Sequence, residues 1–217
     1  MLKTYSINSG GLPSYLFEPY YQLLPNYKDL HNTDPFVFGS TFYYSICQQG
    51  TKPGQGLTEL PPGSVILFGS SVNGAFCLDT VFVIKDSIPY KLDKVRSLKD
   101  KVPQVFYKVG LEPVCTQAKP ETVFKLYLGA TYSSPYEGMY SFAPCKTYDE
   151  YNSVGFKRPA IRLEGFTSEA KSQGVTMNKD KALDTNGMRK LWNMVREQVS
   201  DQGLKEGVEF CMPKRKV

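Results

Sequence analysis

Residues 61–84 read Pro61-Pro62-Gly63-Ser64-Val65-Ile66-Leu67-Phe68-Gly69-Ser70-Ser71-Val72-Asn73-Gly74-Ala75-Phe76-Cys77-Leu78-Asp79-Thr80-Val81-Phe82-Val83-Ile84. Two runs rich in β-branched and aromatic residues, 65–70 and 75–84, flank the break Ser71-Val72-Asn73-Gly74. Asn-Gly readily supplies the positive backbone angles of a tight turn, so the stretch reads as an antiparallel hairpin. Pro61-Pro62-Gly63-Ser64 sets a second tight turn at its entrance. The longest apolar run of the chain, Val81-Phe82-Val83-Ile84, is far too short to cross a bilayer.

Working upstream, Thr41-Phe42-Tyr43-Tyr44-Ser45-Ile46-Cys47 is a strand by composition, and Ser14-Tyr15-Leu16-Phe17 a shorter one. Tyr20-Tyr21-Gln22-Leu23-Leu24 reads as a helical turn stopped by Pro25, and Asp34-Pro35 as a turn. The loop 49–56 holds three glycines but lacks the closing Gly-Lys-Ser/Thr of a phosphate-binding P-loop. One helical turn is expected at 57–60. Downstream, Leu92, Val95 and Leu98 recur at helical spacing inside a basic segment, 91–101, which reads as a helix or long loop. Residues 122–130 form a strand candidate. The Pro-, Gly- and Tyr-rich stretch 131–166 is expected to be a structured loop with short strands. Met188, Leu191, Trp192, Val195 and Val199 predict an amphipathic helix over 186–202, capped by Gly203, with Trp192 as a core anchor. A last strand is expected at 208–212.

The expected fold is therefore α+β: a single domain over 1–217 with a mostly antiparallel sheet, barrel-like in one form, and a C-terminal amphipathic helix. The basic tail 213–217 is expected to be flexible. The size, 217 residues and 24.4 kDa, fits one large domain that folds without metal or disulfide staples. No basic-then-apolar leader opens the chain, which predicts a cytoplasmic protein with no membrane contact.

Composition excludes several mechanisms. The one histidine, His31, rules out a two-histidine zinc site, the zinc-protease motif and a two-His-one-carboxylate iron centre within one chain. No Gly-x-Ser-x-Gly elbow accompanies it, and beside Asn32 and Thr33 it reads as a surface loop residue. Cys47, Cys77, Cys115, Cys145 and Cys211 contain no Cys-x-x-Cys pair, so they read as reduced thiols rather than a zinc ribbon. Cys47 and Cys77 are expected in the core, and Cys145, between Pro144 and Lys146, at the surface. No metal and no cofactor is expected.

Charge and aromatics are unevenly spread. Residues 1–80 hold three lysines and five acids, a net of −2, so the other residues carry a net of +7 and the whole chain +5. Fifteen tyrosines and thirteen phenylalanines cluster over 15–42 and again over 132–156. Rings next to cations suit base stacking with phosphate contact, although aromatics are also favoured strand and core residues.

Three stretches together resemble a known group. They are Asp34-Pro35-Phe36-Val37-Phe38-Gly39 with Tyr43-Tyr44-Ser45, then Leu60-Pro61-Pro62-Gly63-Ser64-Val65-Ile66-Leu67-Phe68, then Gly138-Met139-Tyr140-Ser141-Phe142-Ala143-Pro144 with Gly155-Phe156-Lys157-Arg158-Pro159. This pattern resembles the nucleotide-modification-associated domain proteins of bacteria and phage. The proline-glycine turn into an apolar strand is also similar to the PUA-like base-reading folds, including their EVE and ASCH branches. Ser64 stands where an acidic residue is often found, which weakens a metal or catalytic role there.

The resemblance implies recognition of a modified nucleic-acid base or a nucleotide, in phage biology or phage defence. A base pocket needs stacking rings, a group that reads the base edge, and cations for phosphate. Phe36, Phe42, Tyr43 and Tyr44 are candidates for the first, Asp34, Gln48 and Gln49 for the second, and Lys157 and Arg158 for the third. An Asx turn is the competing role for Asp34, and a surface ion pair for Arg158. Two alternatives remain open at this point. One is an enzyme acting on a nucleotide or DNA base with Asp34 or Glu137 as acid/base and Tyr43 or Tyr44 assisting. The other is a phage or host interaction protein that binds a protein partner.

Overall fold

A computed structural model of the chain describes residues 4–7, 14–17, 35–46, 49, 56–107, 111, 122–145, 158–163 and 184–210. The sequence-predicted turn at 20–24, His31, Cys47, Cys115, Cys211, most of the loop 49–56 and the tail 213–217 lie outside them.

The hairpin read from the sequence is the spine of the fold. In chain order the strands are β1 (Thr4–Ile7), β2 (Ser14–Phe17), β3 (Phe36–Phe38), β4 (Thr41–Tyr44), β5 (Val65–Val72), β6 (Ala75–Lys91), β7 (Val123–Gly129), β8 (Ala143–Cys145), β9 (Ala160–Ile161) and β10 (Lys205–Gly207). Asn73 and Gly74, with φ of 52° and 81°, make the tight turn between β5 and β6. The main sheet runs β3-β4-β7-β6-β5, with β9 added beside β6, and every strand pair is antiparallel. The path ends at β3 and β5, which do not pair with each other, so the sheet is open and the expected barrel does not form. Near β3, the bridge from Gly39 goes to Phe210 instead.

β6 continues seven residues past the run seen in the sequence, because it serves two partners in succession. Its first half pairs with β5 and its second half with β7. Two bulges make this possible. Phe68 pairs with Thr80 and Gly69 with Leu78, leaving Asp79 as the extra residue; Ile84 pairs with Gly129 and Asp86 with Leu128, leaving Lys85. Both extra residues are charged, and both find partners outside the ladder. Asp79 meets Arg158, and the Lys85 ammonium donates to the hydroxyl and carbonyl of Ser134. The first bulge also rephases the strand, so that Leu78 and Val81, three apart, reach the same apolar cluster.

The second helix, α2 (Thr185–Asp201), follows a short first one, α1 (Gln104–Phe106). The Asp184 carboxylate caps α2 by accepting from the Gly187 N–H at 2.8 Å, and Gly203, at φ +72°, closes its C-terminal turn. Leu191, Trp192, Val195 and Val199 are buried, as their spacing predicts, against Leu78, Val81, Val83, Met139, Phe142 and Ile161. A second cluster gathers Phe36, Tyr90, Phe106, Phe124 and Leu126 with the 3-10 turn Leu92–Leu98. A third lies around Phe42, Tyr44, Phe82, Ile84 and Tyr127.

Two sequence expectations are corrected here. Among the described residues the last strand forms at Lys205–Gly207 against β8, ahead of the expected 208–212, of which 211 and 212 lie outside them. Leu204 is buried directly after α2, and Gly207 lies so close to Cys145 that a Cβ there would collide with its sulfur, so the register is fixed early. Cys145 is buried rather than exposed, and burial pushes its thiol up to about 12. A thiol held neutral in this way is a packing group, not a nucleophile. Among the described residues, no helix is long and apolar enough to cross a membrane.

Candidate functional site

Residues proposed from the sequence for a base pocket divide sharply by position. Phe42 and Tyr44 point to one side of β4 and Tyr43 to the other, as period-two alternation requires. Phe36, Phe42 and Tyr44 are at most 2% exposed. Phe36 packs on Phe106 with ring centres 4.9 Å apart, Phe42 sets its ring perpendicular to Phe210, and Tyr44 stacks on Tyr127 at 5.9 Å. In this arrangement none of the three offers a free face to a ligand. Tyr43 is half-buried and stacks on Phe106 at 5.2 Å, and burial raises its hydroxyl pKa.

Gln49 is 3% exposed and grips the backbone of β7. Its Nε2 donates to the Lys125 carbonyl at 2.8 Å, and its Oε1 accepts from the Lys125 N–H at 2.9 Å. β4 pairs with β7 only at Tyr43 and Tyr44, and the Gln49 amide supplies the next backbone-like contact beyond them. The Ser45 hydroxyl adds a bond to the same carbonyl at 3.1 Å. Arg158 stands at the first bulge of β6, where Nη2 donates to Asp79 Oδ2 at 2.9 Å and to the Cys77 carbonyl at 3.3 Å. Asp34, Gln48 and Lys157 lie outside the described residues.

A different set of polar and aromatic residues converges where residues 131–140, α2 and β10 meet. The 131–140 segment folds back on itself through bridges Thr131↔Ser134 and Tyr136↔Met139, with Glu137 and Gly138 in the left-handed turn. It delivers Tyr132, 65% exposed, and Tyr140 to the side of α2. Tyr132 and Tyr140 are perpendicular at 5.1 Å, as are Tyr140 and Trp192 at 5.0 Å. The Trp192 indole N–H donates to the Tyr140 carbonyl at 2.9 Å. Above both rings lies the Arg196 guanidinium, 4.4 Å from the Trp192 ring centre and 5.6 Å from that of Tyr140.

Glu206 of β10 locks this group. One carboxylate oxygen accepts from Arg196 Nε at 2.7 Å and the other from the Tyr140 hydroxyl at 2.5 Å. Burial, then the Glu206 contact, raises the Tyr140 pKa, so the phenol stays protonated and remains a donor. With both oxygens engaged, Glu206 acts as an anchor for the cation rather than as a base.

Next to it on α2, Asn186, Arg189, Lys190 and Asn193 line a shallow depression of about 290 Å³. These positions share one face by helical spacing. Arg189 donates to Glu137 at 2.8 Å and to Asn186 Oδ1 at 3.2 Å, which ties the depression to the 131–140 segment. Glu137, a candidate acid/base in the enzyme alternative, is engaged by Arg189 here. Lys190 and Asn193 are exposed. Two amides and the Lys190 ammonium, next to the Arg189–Glu137 pair, suit an anionic ligand with hydrogen-bonding edges. Among the described residues, no group of three or more His, Cys, Asp or Glu side chains is placed to hold a metal ion.

The sequence reading missed this cluster as a site, although it marked the Tyr-rich stretch 132–156 and named Tyr140 within a resemblance motif. Arg196 and Glu206 carry no local signature, since only folding brings them beside Tyr140. No family model, curated protein or solved structure matches this chain.

Proposed function

We propose that the protein recognises nucleic acid, reading a modified base or nucleotide, and that it does so through the surface shared by α2 and residues 131–140. The observation that carries this reading is Tyr132: a ring 65% exposed, steadied against Tyr140, on the segment that Arg189 ties through Glu137 to the polar face of α2. An exposed ring beside cations is the combination that single-stranded nucleic acid binding uses, a base on the ring and a phosphate on the cation. Asn186 and Asn193 supply amide edges for a base or sugar. The resemblance to the nucleotide-modification-associated proteins, with its phage or phage-defence setting, supports the same class of ligand, as does the excess of positive charge after residue 80.

The test is binding to a panel of nucleotides and short oligonucleotides, modified and unmodified, at two salt concentrations. Salt-sensitive binding, strengthened by one modified base, is expected. Tyr132→Ala should weaken it by about 5- to 150-fold, the worth of one stacked base at 1–3 kcal/mol. Lys190→Ala should lower the log–log salt slope by about one. Absence of binding to every member at low salt would discard the reading.

A further inference from the structure

The open edge of the main sheet carries a second inference, independent of ligand binding. β5 is the terminal strand, and its pairing shows which of its backbone groups face outward. Val81 exchanges hydrogen bonds with Phe142, while Val83 accepts from Ala130 N–H and donates its own N–H to the Ser141 hydroxyl. Both residues thus turn their backbone groups away from β5. Their cross-strand partners, Leu67 and Val65, must then turn theirs away from β6. The opposite set points inward, as the bond from Ile84 N–H to the Ser64 carbonyl confirms. Because the extra residue of the first bulge sits on β6, the alternation along β5 is unbroken. Val65, Leu67, Gly69 and Ser71 all present N–H and C=O to the outside.

Sheet edges of this kind are normally blunted by charge, proline, bulges or a covering element. β3, at the other end of the sheet, is followed by Gly39, which bridges to Phe210. β5 has eight residues with no charge and no proline, its bulge is on the inner partner, and Val65, Ile66, Leu67 and Phe68 each keep part of their surface exposed. Among the described residues, nothing pairs with its outer side.

We propose that β5 joins β5 of a second copy of this chain, antiparallel across a two-fold axis, to make one continuous sheet. A two-fold places a strand antiparallel to itself, so the edge is its own complement. Neutrality favours the same occupant: a chain with a net charge of +5 meets its copy least unfavourably along a strand that carries none. Pairing would satisfy the outward backbone groups and cover what is still exposed of four apolar side chains already packed on the core.

The experiment combines sedimentation across a protein concentration series with residue-resolved amide exchange. Expected is a monomer–dimer equilibrium in which the Val65 and Leu67 amides slow as the dimer fills, while the inward Ile66 amide is protected throughout. Leu67→Pro removes one outward N–H that the monomer does not use, so it should abolish the dimer and keep the fold. Ser71→Pro does the same at a second outward position, should Leu67→Pro not fold. A chain that stays monomeric at every concentration would overturn the proposal. So would a dimer in which the Val65 and Leu67 amides still exchange freely, since that dimer uses another surface.

Discussion

Arg158 grips Asp79 with two of its nitrogens, Nη2 lying 2.9 Å from Oδ2 and Nε facing Oδ1. Asp79 is the residue that β6 pushes out of its ladder, and Arg158 directly precedes the short segment that adds β9 to the sheet. β9 is two residues long and pairs only with Phe76 and Cys77, with one further bond from Leu78 N–H to the Pro159 carbonyl. The ion pair is thus a substantial part of what holds this chain segment to β6.

Arg158→Ala should therefore destabilise the fold by about 1 kcal/mol, the upper end for a half-exposed pair and consistent with its two-nitrogen geometry. Urea unfolding of Arg158→Ala, Asp79→Ala and the double variant checks this, the double variant losing little beyond either single one. A phosphate contact at Arg158 would show differently, as a drop of about one in the salt slope of oligonucleotide binding.

Asp79 also makes a prediction in pH. Burial raises its carboxyl above the usual 3.8, and Arg158 offsets this only in part. The folded state then holds the proton more tightly than the unfolded one, so this group's contribution is fully present below 3.8. It is lost as pH rises through the folded value. Asp79→Asn should flatten the stability curve in the window just above 3.8. Urea midpoints of both proteins between about pH 3 and 6 decide it, and parallel curves would count against the assignment.

Gln49→Ala strips the Lys125 N–H and C=O of a partner in a buried place. A loss of about 1–3 kcal/mol is expected, because the Lys125 N–H is left without its acceptor while the carbonyl keeps the Ser45 hydroxyl. Gln49→Glu should be no better, since it removes the donor that faces the Lys125 carbonyl. Thermal denaturation reads both, and a variant that loses ligand affinity with an unchanged melting temperature would restore Gln49 as a base-reading amide.

Cys145 should resist alkylation at pH 8 in the folded protein, its thiol being held near 12 and out of water. Peptide-resolved mass spectrometry after iodoacetamide, with and without urea, checks this. Gly207→Ala should expose the same packing from the other side, costing about 1–3 kcal/mol through the collision with the Cys145 sulfur.

What the sequence told of this molecule follows a physical line. The hairpin around Asn73-Gly74 and the helix around Trp192 were legible because their signals are local: a turn dipeptide between β-rich runs, and apolar residues at helical steps. The extension of β6 to Lys91 was not, since Asp86 and Lys91 interrupt the apolar pattern and are tolerated only beside a partner strand far along the chain. Phe36, Phe42 and Tyr44 illustrate a second limit. An aromatic that packs in the core and one left on the surface are the same letters, and only burial separates these three from the exposed Tyr132. Arg196 and Glu206 show a third, for their pairing depends on where β10 settles against β8.

The two bulges of β6 bear on how this chain folds. The β5–β6 hairpin closes across a two-residue turn and can form early, at the microsecond scale of isolated hairpins. Its continuation cannot, because β7 and β9 reach β6 only after long stretches of chain have been brought back. Loop closure of that kind carries its entropic cost before any contact offsets it. One strand runs through both halves of the sheet, so neither half can release it and remain whole. Unfolding should proceed as a single cooperative step, with the amides of Val81 and Val83 the last to exchange.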